Sequence, residues 1–376
     1  MSITIWQYGR VASVYHENPY YTTIYDIMQN QVGMSDEILV RAPGVWSNTT
    51  VVYGPLWTMI CSFLSAFPTN QADILLMVYK LANLVIHMCN CLLLYKITRK
   101  KIFPLIYGLN PLVLLEGLIN VHNDIFVLFF ILLAIYFVYK KKNLYLAVTA
   151  IAFATLIKYF AIFLLPFMIL YYYQDRKIKE RIGKLILFGV FFVIIVIAFY
   201  LIYLQDLAVL QGLFVQQEKY CNSLWLIAHS ITTEATLKNT KLIMLGAVVI
   251  LYILAFFKML RKETIKFSDV MKNYTIFLLL FLFILITNFQ PWYLIWLFSI
   301  IPWLKGKNLK TILALTIAAD LSNIYYMIEI FNQTYSGHKF FFSYLILTIG
   351  ISLLLNKRKK NTIKAKVEQK KIGGGH

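Results

Sequence analysis

Uncharged apolar runs alternate with short polar connections along most of this chain, and that alternation predicts membrane-crossing helices. A helix rises about 1.5 Å per residue, so some ~17–25 apolar residues cross the roughly 30 Å hydrocarbon layer. Such runs lie at 73–97, 102–121, 124–139, 144–157, 159–173, 184–204, 240–257, 274–289, 291–304, 310–326 and 340–356. Two neighbouring pairs, 144–157 with 159–173 and 274–289 with 291–304, read equally as single elements broken at Lys158 and at Pro291. The expectation is an all-α polytopic membrane helix bundle over residues 73–356 with about 11 spans. Residues 1–72 are no single apolar run. They predict an extracytoplasmic segment with juxtamembrane helices, the clearest over 55–67, lying on the interface with Trp57 at headgroup level.

Charge then assigns the sides. Of the 36 Lys and Arg residues, 28 fall in alternate connections: 96–101, 140–142, 176–184, 258–272, 305–310 and a basic tail, 357–376, with a tag-like end. By the positive-inside rule these connections and the C-terminus face the cytoplasm. Residues 1–72, the turn at 122–124, Lys158, 205–239, 290–292 and 327–339 then face outward. In a soluble protein the net charge of +19 would suggest nucleic acid. Its confinement to one membrane face removes that reading and leaves membrane lipids as partners. Composition agrees: 60% hydrophobic and 14% charged residues exclude a soluble enzyme, a disordered chain and a disulfide-stapled domain. The four cysteines form no metal-ligand framework and read as inert buried thiols.

Against this background the polar residues at membrane depth stand out, since an Asp or Lys there costs roughly 2.5–3.5 kcal/mol on insertion scales. Glu116 precedes His122-Asn123-Asp124 by two helical turns or less, so Glu116 and Asp124 share one groove if the helix continues. Lys158 interrupts an apolar stretch, Gln290-Pro291-Trp292-Tyr293 opens a helix, and Asp320 lies near the outer end of the next. Each has an ordinary structural explanation. Asn and Asp cap helices, a lysine snorkels, and a Trp-Tyr pair belongs to an aromatic belt. Together they place acids, an amide, a histidine and a lysine on one outer side, which favours a shared polar cavity. His87, alone in mid-helix, reads as a packed core residue.

Sugar transfer from a lipid phosphate suits this set. An acceptor hydroxyl needs a base, and a departing phosphate needs a cation, either Lys or Arg or a divalent metal. Lys158 and Arg10 are candidates for the phosphate. Glu17, Asp26, Asp36, Glu37 and Asp124 are candidates for the base.

Four stretches resemble the integral-membrane GT-C glycosyltransferases, most closely their polyprenol-phosphate-dependent mannosyltransferase branch. They are Trp6-Gln7-Tyr8-Gly9-Arg10 with Glu17-Asn18-Pro19-Tyr20, then Tyr53-Gly54-Pro55-Leu56-Trp57, then Asn110-Pro111 through Glu116 to His122-Asn123-Asp124, and Gln290-Pro291-Trp292-Tyr293. The resemblance implies transfer of a hexose, mannose above all, from a polyprenol-phosphate donor to a glycolipid or glycan acceptor, with the active site facing outward from the cytoplasmic membrane. It implies that Asp124 and His122 border the sugar-phosphate cavity and that Lys158 approaches the lipid phosphate. Tyr53, Trp292 and Tyr293 would line it, with Glu116, Asn123, Gln290 and Arg10 as further binding residues. In that family a first membrane helix delivers a catalytic Asp shortly before the position of Trp6. This sequence opens at Met1-Ser2-Ile3-Thr4-Ile5 with neither, so it is expected to start inside the family's pattern, with Glu17 as the fallback base. The rival readings are a transporter or lipid flippase using Glu116, Asp124 and Lys158, and a catalytically degenerate membrane subunit. The residues name no cofactor beyond a candidate divalent cation.

Overall fold

The protein is described from a computed structural model covering residues 2–29, 31–41, 47–210, 223–331 and 348–349. The described residues are all-helical, with no strand. Four helices among them are long and apolar enough to cross a membrane: Ala72–Thr98, Ile178–Tyr200, Glu234–Leu260 and Phe267–Leu285. A fifth candidate is the pair Ile102–Gly108 and Val113–Ile119, bent by 61° at its break.

The other expected runs are shorter or broken, for visible reasons. Helix Leu144–Thr155 ends before Lys158, and the chain resumes as a 3-10 helix, Tyr159–Leu164, that widens into α-helix Leu165–Tyr172. The run expected at 291–304 is two 3-10 helices, Pro291–Ser299 and Ile301–Trp303, parted where Pro302 lacks the N–H that a continuous ladder would need. The last two runs give helix Gly306–Phe331 and a stretch at 340–356 that falls outside the described residues apart from 348–349, as does the tail 357–376.

Asp124–Tyr136 is the central helix. It is buried nearly all round, and it packs against Ala72–Thr98, Leu144–Thr155 and the Pro291–Ser299 turn. Ile178–Tyr200 and Glu234–Leu260 instead leave Ile186, Val190, Ile194, Leu245 and Leu254 exposed, the pattern of helices whose outer faces meet lipid.

The first segment opens with a helix, Ser2–Ser13, which the hydropathy pattern does not announce. It crosses Pro55–Ser65 so closely that a Cβ on Gly9 would sit 2.5 Å from the Cys61 carbonyl oxygen. Ser65 bonds the Trp6 carbonyl (3.0 Å) and the Tyr79 hydroxyl (2.8 Å), tying the crossing to the long helix behind it. Trp57 is therefore not a headgroup anchor. It is 1% exposed and packs edge-on against Phe126 of the central helix. Asn18 reaches the Tyr203 carbonyl (2.8 Å) and Tyr21 the Asp206 carbonyl (2.8 Å), so the first segment touches the 205–239 connection at Asp206. The two lie at the same end of the bundle, as the charge alternation requires.

Candidate active site

The site is built on an irregular turn. Asn110 and Pro111 break the preceding helix pair, with the Asn110 carboxamide accepting from Leu112 N–H (3.1 Å) and donating to Thr316 (3.2 Å). The chain resumes as a π-helix, Val113–Ile119, a widened turn that recurs at functional sites. Just beyond it Val121 adopts φ +58°, a left-handed conformation that β-branched residues rarely take. The chain reverses there, and His122 N–H bonds the Glu116 carbonyl at 2.9 Å. Two asparagines of the Ala72–Thr98 helix hold this backbone in place: Asn83 donates to the carbonyls of Gly117 (2.7 Å) and His122 (3.3 Å), and Asn90 to that of Ile125 (2.9 Å).

The helix therefore does not continue from Glu116 to Asp124, and the expected shared groove gives way to two separate couples. Asp124, fully buried at the start of the central helix, accepts from Lys158 Nζ at 2.7 Å. Glu116 accepts from Asn120 (3.0 Å) and lies 3.3 Å from His122 Nε2. One aromatic wall, from the Pro291–Ser299 turn, carries both couples. His122 lies flat on Trp292, with ring centroids 3.7 Å apart and planes 14° apart. The Lys158 ammonium stands 4.6 Å from the Tyr293 centroid and 5.3 Å from that of Trp296. The Lys158 side chain keeps 14% exposure, whereas the Asp124 side chain keeps none. Within this cluster the Asp124 carboxylate also lies against the Trp296 indole N–H, and Asn123 Nδ2 is buried with no hydrogen-bond partner among the described residues. A buried donor of that kind is one that a polar ligand would complete.

Lys158 owes its position to the neighbouring loop. Gly54 N–H bonds the Ile157 carbonyl (3.5 Å), and a Cβ on Gly54 would collide with the Leu156 carbonyl, so only glycine allows this approach. Tyr53 is thereby held within electrostatic reach of Tyr293 and Asp124.

Other expected site residues lie elsewhere or are engaged. Arg10 is 2% exposed and engaged: it bonds Asp36 Oδ2 (2.8 and 2.7 Å), the Thr69 carbonyl (2.9 Å) and Asn70 (3.0 Å). Asp36 also caps helix Glu37–Val40 and accepts from Tyr15 (2.9 Å). Arg10 is a structural clamp, with four of its five N–H donors engaged and its side chain buried. Glu17 is exposed, with Thr22 as its neighbour (3.4 Å). Gln290 donates to the Asn288 carboxamide (2.6 Å) and stands immediately before the aromatic wall. Asp320 gains weight instead. Both its carboxylate oxygens are buried with no hydrogen bond among the described residues, within electrostatic reach of Glu116. His87 is a packed residue, as expected, stacked on Tyr107 at 4.9 Å. Among the described residues no group of three or more His, Cys, Asp or Glu side chains is arranged to hold a metal ion.

Residues 7–174 match the family model of the alpha-(1->6)-mannopyranosyltransferase N-terminal domain. The match covers less than half of the chain and is a likeness to mannosyltransferases, in line with the resemblance that the sequence motifs carry. It spans the Ser2–Ser13 crossing from its second turn, the His122-Asn123-Asp124 turn and Lys158. No curated protein and no solved structure matches the chain.

Proposed function

We propose, from the mannosyltransferase likeness of residues 7–174, that the chain moves mannose from a polyprenol-phosphate donor to a glycolipid or glycan acceptor at the extracytoplasmic face. The observation that carries this reading is the Lys158–Asp124 couple standing beside the His122–Glu116 couple on one aromatic wall. Transfer needs a cation where the phosphate leaves and a base where the acceptor attacks, and the two couples divide these tasks.

Lys158 meets the donor phosphate. As the bond between the anomeric carbon and the phosphate oxygen breaks, negative charge grows on the leaving polyprenyl phosphate, and a desolvated ammonium stabilises it. Asp124 positions that ammonium, and its second oxygen takes a hydroxyl of the sugar or acceptor. The acceptor oxygen forms the new bond to the anomeric carbon and gives its proton to His122, whose ring Glu116 and Trp292 orient. A base whose own orientation is set by a carboxylate is the recurrent arrangement for such proton transfers.

The test is mannosyl transfer from polyprenol-phosphate-mannose by the full chain in lipid nanodiscs. Lys158→Ala and His122→Ala are expected to reduce turnover roughly 10²–10³-fold, the scale of losing one electrostatic or proton-transfer group. Unchanged turnover in Lys158→Ala and Asp124→Asn would overturn the site. Failure of the wild-type chain with every polyprenol-phosphate hexose would overturn the function.

A further inference from the structure

The opposite, basic end of the bundle carries a second feature, independent of sugar transfer. A cleft of about 490 Å³ opens there, lined chiefly by Tyr139, Tyr171, Phe267, Trp303, Gln174 and Lys266. Its aromatic bed is interlocked: Phe267 lies 4.7 Å from Tyr139, 5.1 Å from Tyr171 and 5.3 Å from Trp303, centroid to centroid. Its backbone is clamped by Arg181, which donates to the carbonyls of Leu260 (2.9 Å), Lys262 (2.8 Å), Arg176 (2.8 Å) and Gln174. Gln174 in turn accepts from Ile265 N–H (3.0 Å).

Three cations surround this bed. Lys140 Nζ stands 4.9 Å over the Tyr139 ring. Lys142 Nζ donates to the Tyr171 hydroxyl at 3.0 Å, and Lys266 lines the cleft itself. Lys140 and Lys142 make no ion pair with a carboxylate among the described residues, and Lys266 shares Asp269 with Lys262, which is the nearer cation at 2.6 Å. Ammonium groups in excess over carboxylates, held against aromatic rims above an apolar floor, fit a molecule with an anionic head and a hydrocarbon tail. A free anion would leave the floor wet.

We propose that this cleft binds an anionic phospholipid, its phosphate among Lys140, Lys142 and Lys266 and its first acyl carbons on the Tyr139–Phe267–Trp303 bed. The site lies where the connections richest in Lys and Arg meet.

Native mass spectrometry of the full chain, released from nanodiscs of equal phosphatidylglycerol and phosphatidylcholine, tests this. The wild-type chain is expected to retain phosphatidylglycerol in preference, and inorganic phosphate should not displace it. The triple variant Lys140→Gln, Lys142→Gln, Lys266→Gln is expected to weaken retention roughly a hundredfold, from ~1 kcal/mol per lysine at a charged lipid surface. The matching Arg variant should retain the lipid. Lys100→Gln, Lys101→Gln, Lys179→Gln removes equal charge elsewhere on the basic end and should leave retention unchanged. Equal retention of the two lipids by the wild-type chain would overturn the proposal, whatever the variants do. So would an equal loss in the second triple variant, or displacement by phosphate alone.

Discussion

Asp124 and Arg10 are both buried in ion pairs, yet removing each should read out differently. Asp124 is fully buried, and Lys158 opposite it keeps 14% of its side chain exposed. Asp124→Asn keeps the shape and leaves Lys158 a neutral partner, so it should lower turnover. It should lower the thermal midpoint less than Asp36→Ala does, because Lys158 keeps 14% exposure where Arg10 keeps 3%. Arg10 and Asp36 fasten the first helix to the 69–70 turn and to helix Glu37–Val40. Asp36→Ala should destabilise by about 3–5 kcal/mol, because it strands a buried guanidinium. The paired change Arg10→Met with Asp36→Leu should cost much less. Thermal unfolding in detergent measures both, and a loss of donor affinity without a loss of stability in Arg10→Met would return Arg10 to the substrate site. Tyr15 reports on the same clamp. Burial, then its bond to Asp36, raises the hydroxyl pKa from 10 to about 12. The unfolded chain would ionise Tyr15 near pH 10 and the folded chain near 12, so its stabilising contribution holds below pH 10 and fades between the two. Tyr15→Phe should therefore flatten the fall in thermal midpoint over that alkaline window.

At the scale of elements, two glycines make opposite predictions. Gly9→Ala forces a methyl onto the Cys61 carbonyl and the Ser65 hydroxyl, each 2.5 Å away, and should destabilise the crossing by about 1–3 kcal/mol. Gly54→Ala pushes on the Leu156 carbonyl, two residues before Lys158. It should lower transfer more than it lowers stability, and equal loss in both would place Gly54 in the scaffold alone. The helices that meet lipid were legible from hydropathy, since nothing but an apolar run survives there. The His122-Asn123-Asp124 turn was legible as chemistry but not as shape. Its π-helix and the left-handed Val121 depend on Asn83 and Asn90, which arrive from an element some thirty residues earlier. A signal for those two did exist: Asn83, His87 and Asn90 form a polar stripe at helical spacing within an otherwise apolar helix. The pairing of Lys158 with Asp124, 34 residues apart, and the engagement of Arg10 by Asp36 left no local trace, because both arise only when distant segments dock.

For the whole molecule, the strongest statement concerns sidedness. Connections that the charge pattern assigns to one side meet at one end, as Tyr21 does with Asp206. Those assigned to the other side meet around the cleft of Tyr139, Tyr171 and Lys266. In a cysteine-free background, Glu17→Cys should react with an impermeant maleimide from outside intact cells, and Lys307→Cys only after the membrane is opened. Labelling of both residues from the same side would break the arrangement.

The asparagines that hold the turn carry a mechanical consequence. Helix Ala72–Thr98 has 27 residues and is about 40 Å long, longer than the roughly 30 Å hydrocarbon layer, so it has the length to lean in the bilayer. Its lean changes with the thickness of the surrounding lipid, and Asn83 and Asn90 are bolted to the backbone of the His122 turn. A thinner or thicker bilayer would thus rock the turn relative to Lys158, whose own loop is fastened to Gly54 instead. Catalytic rate should pass through a maximum with acyl-chain length, and cutting the Asn83 tether should blunt that maximum.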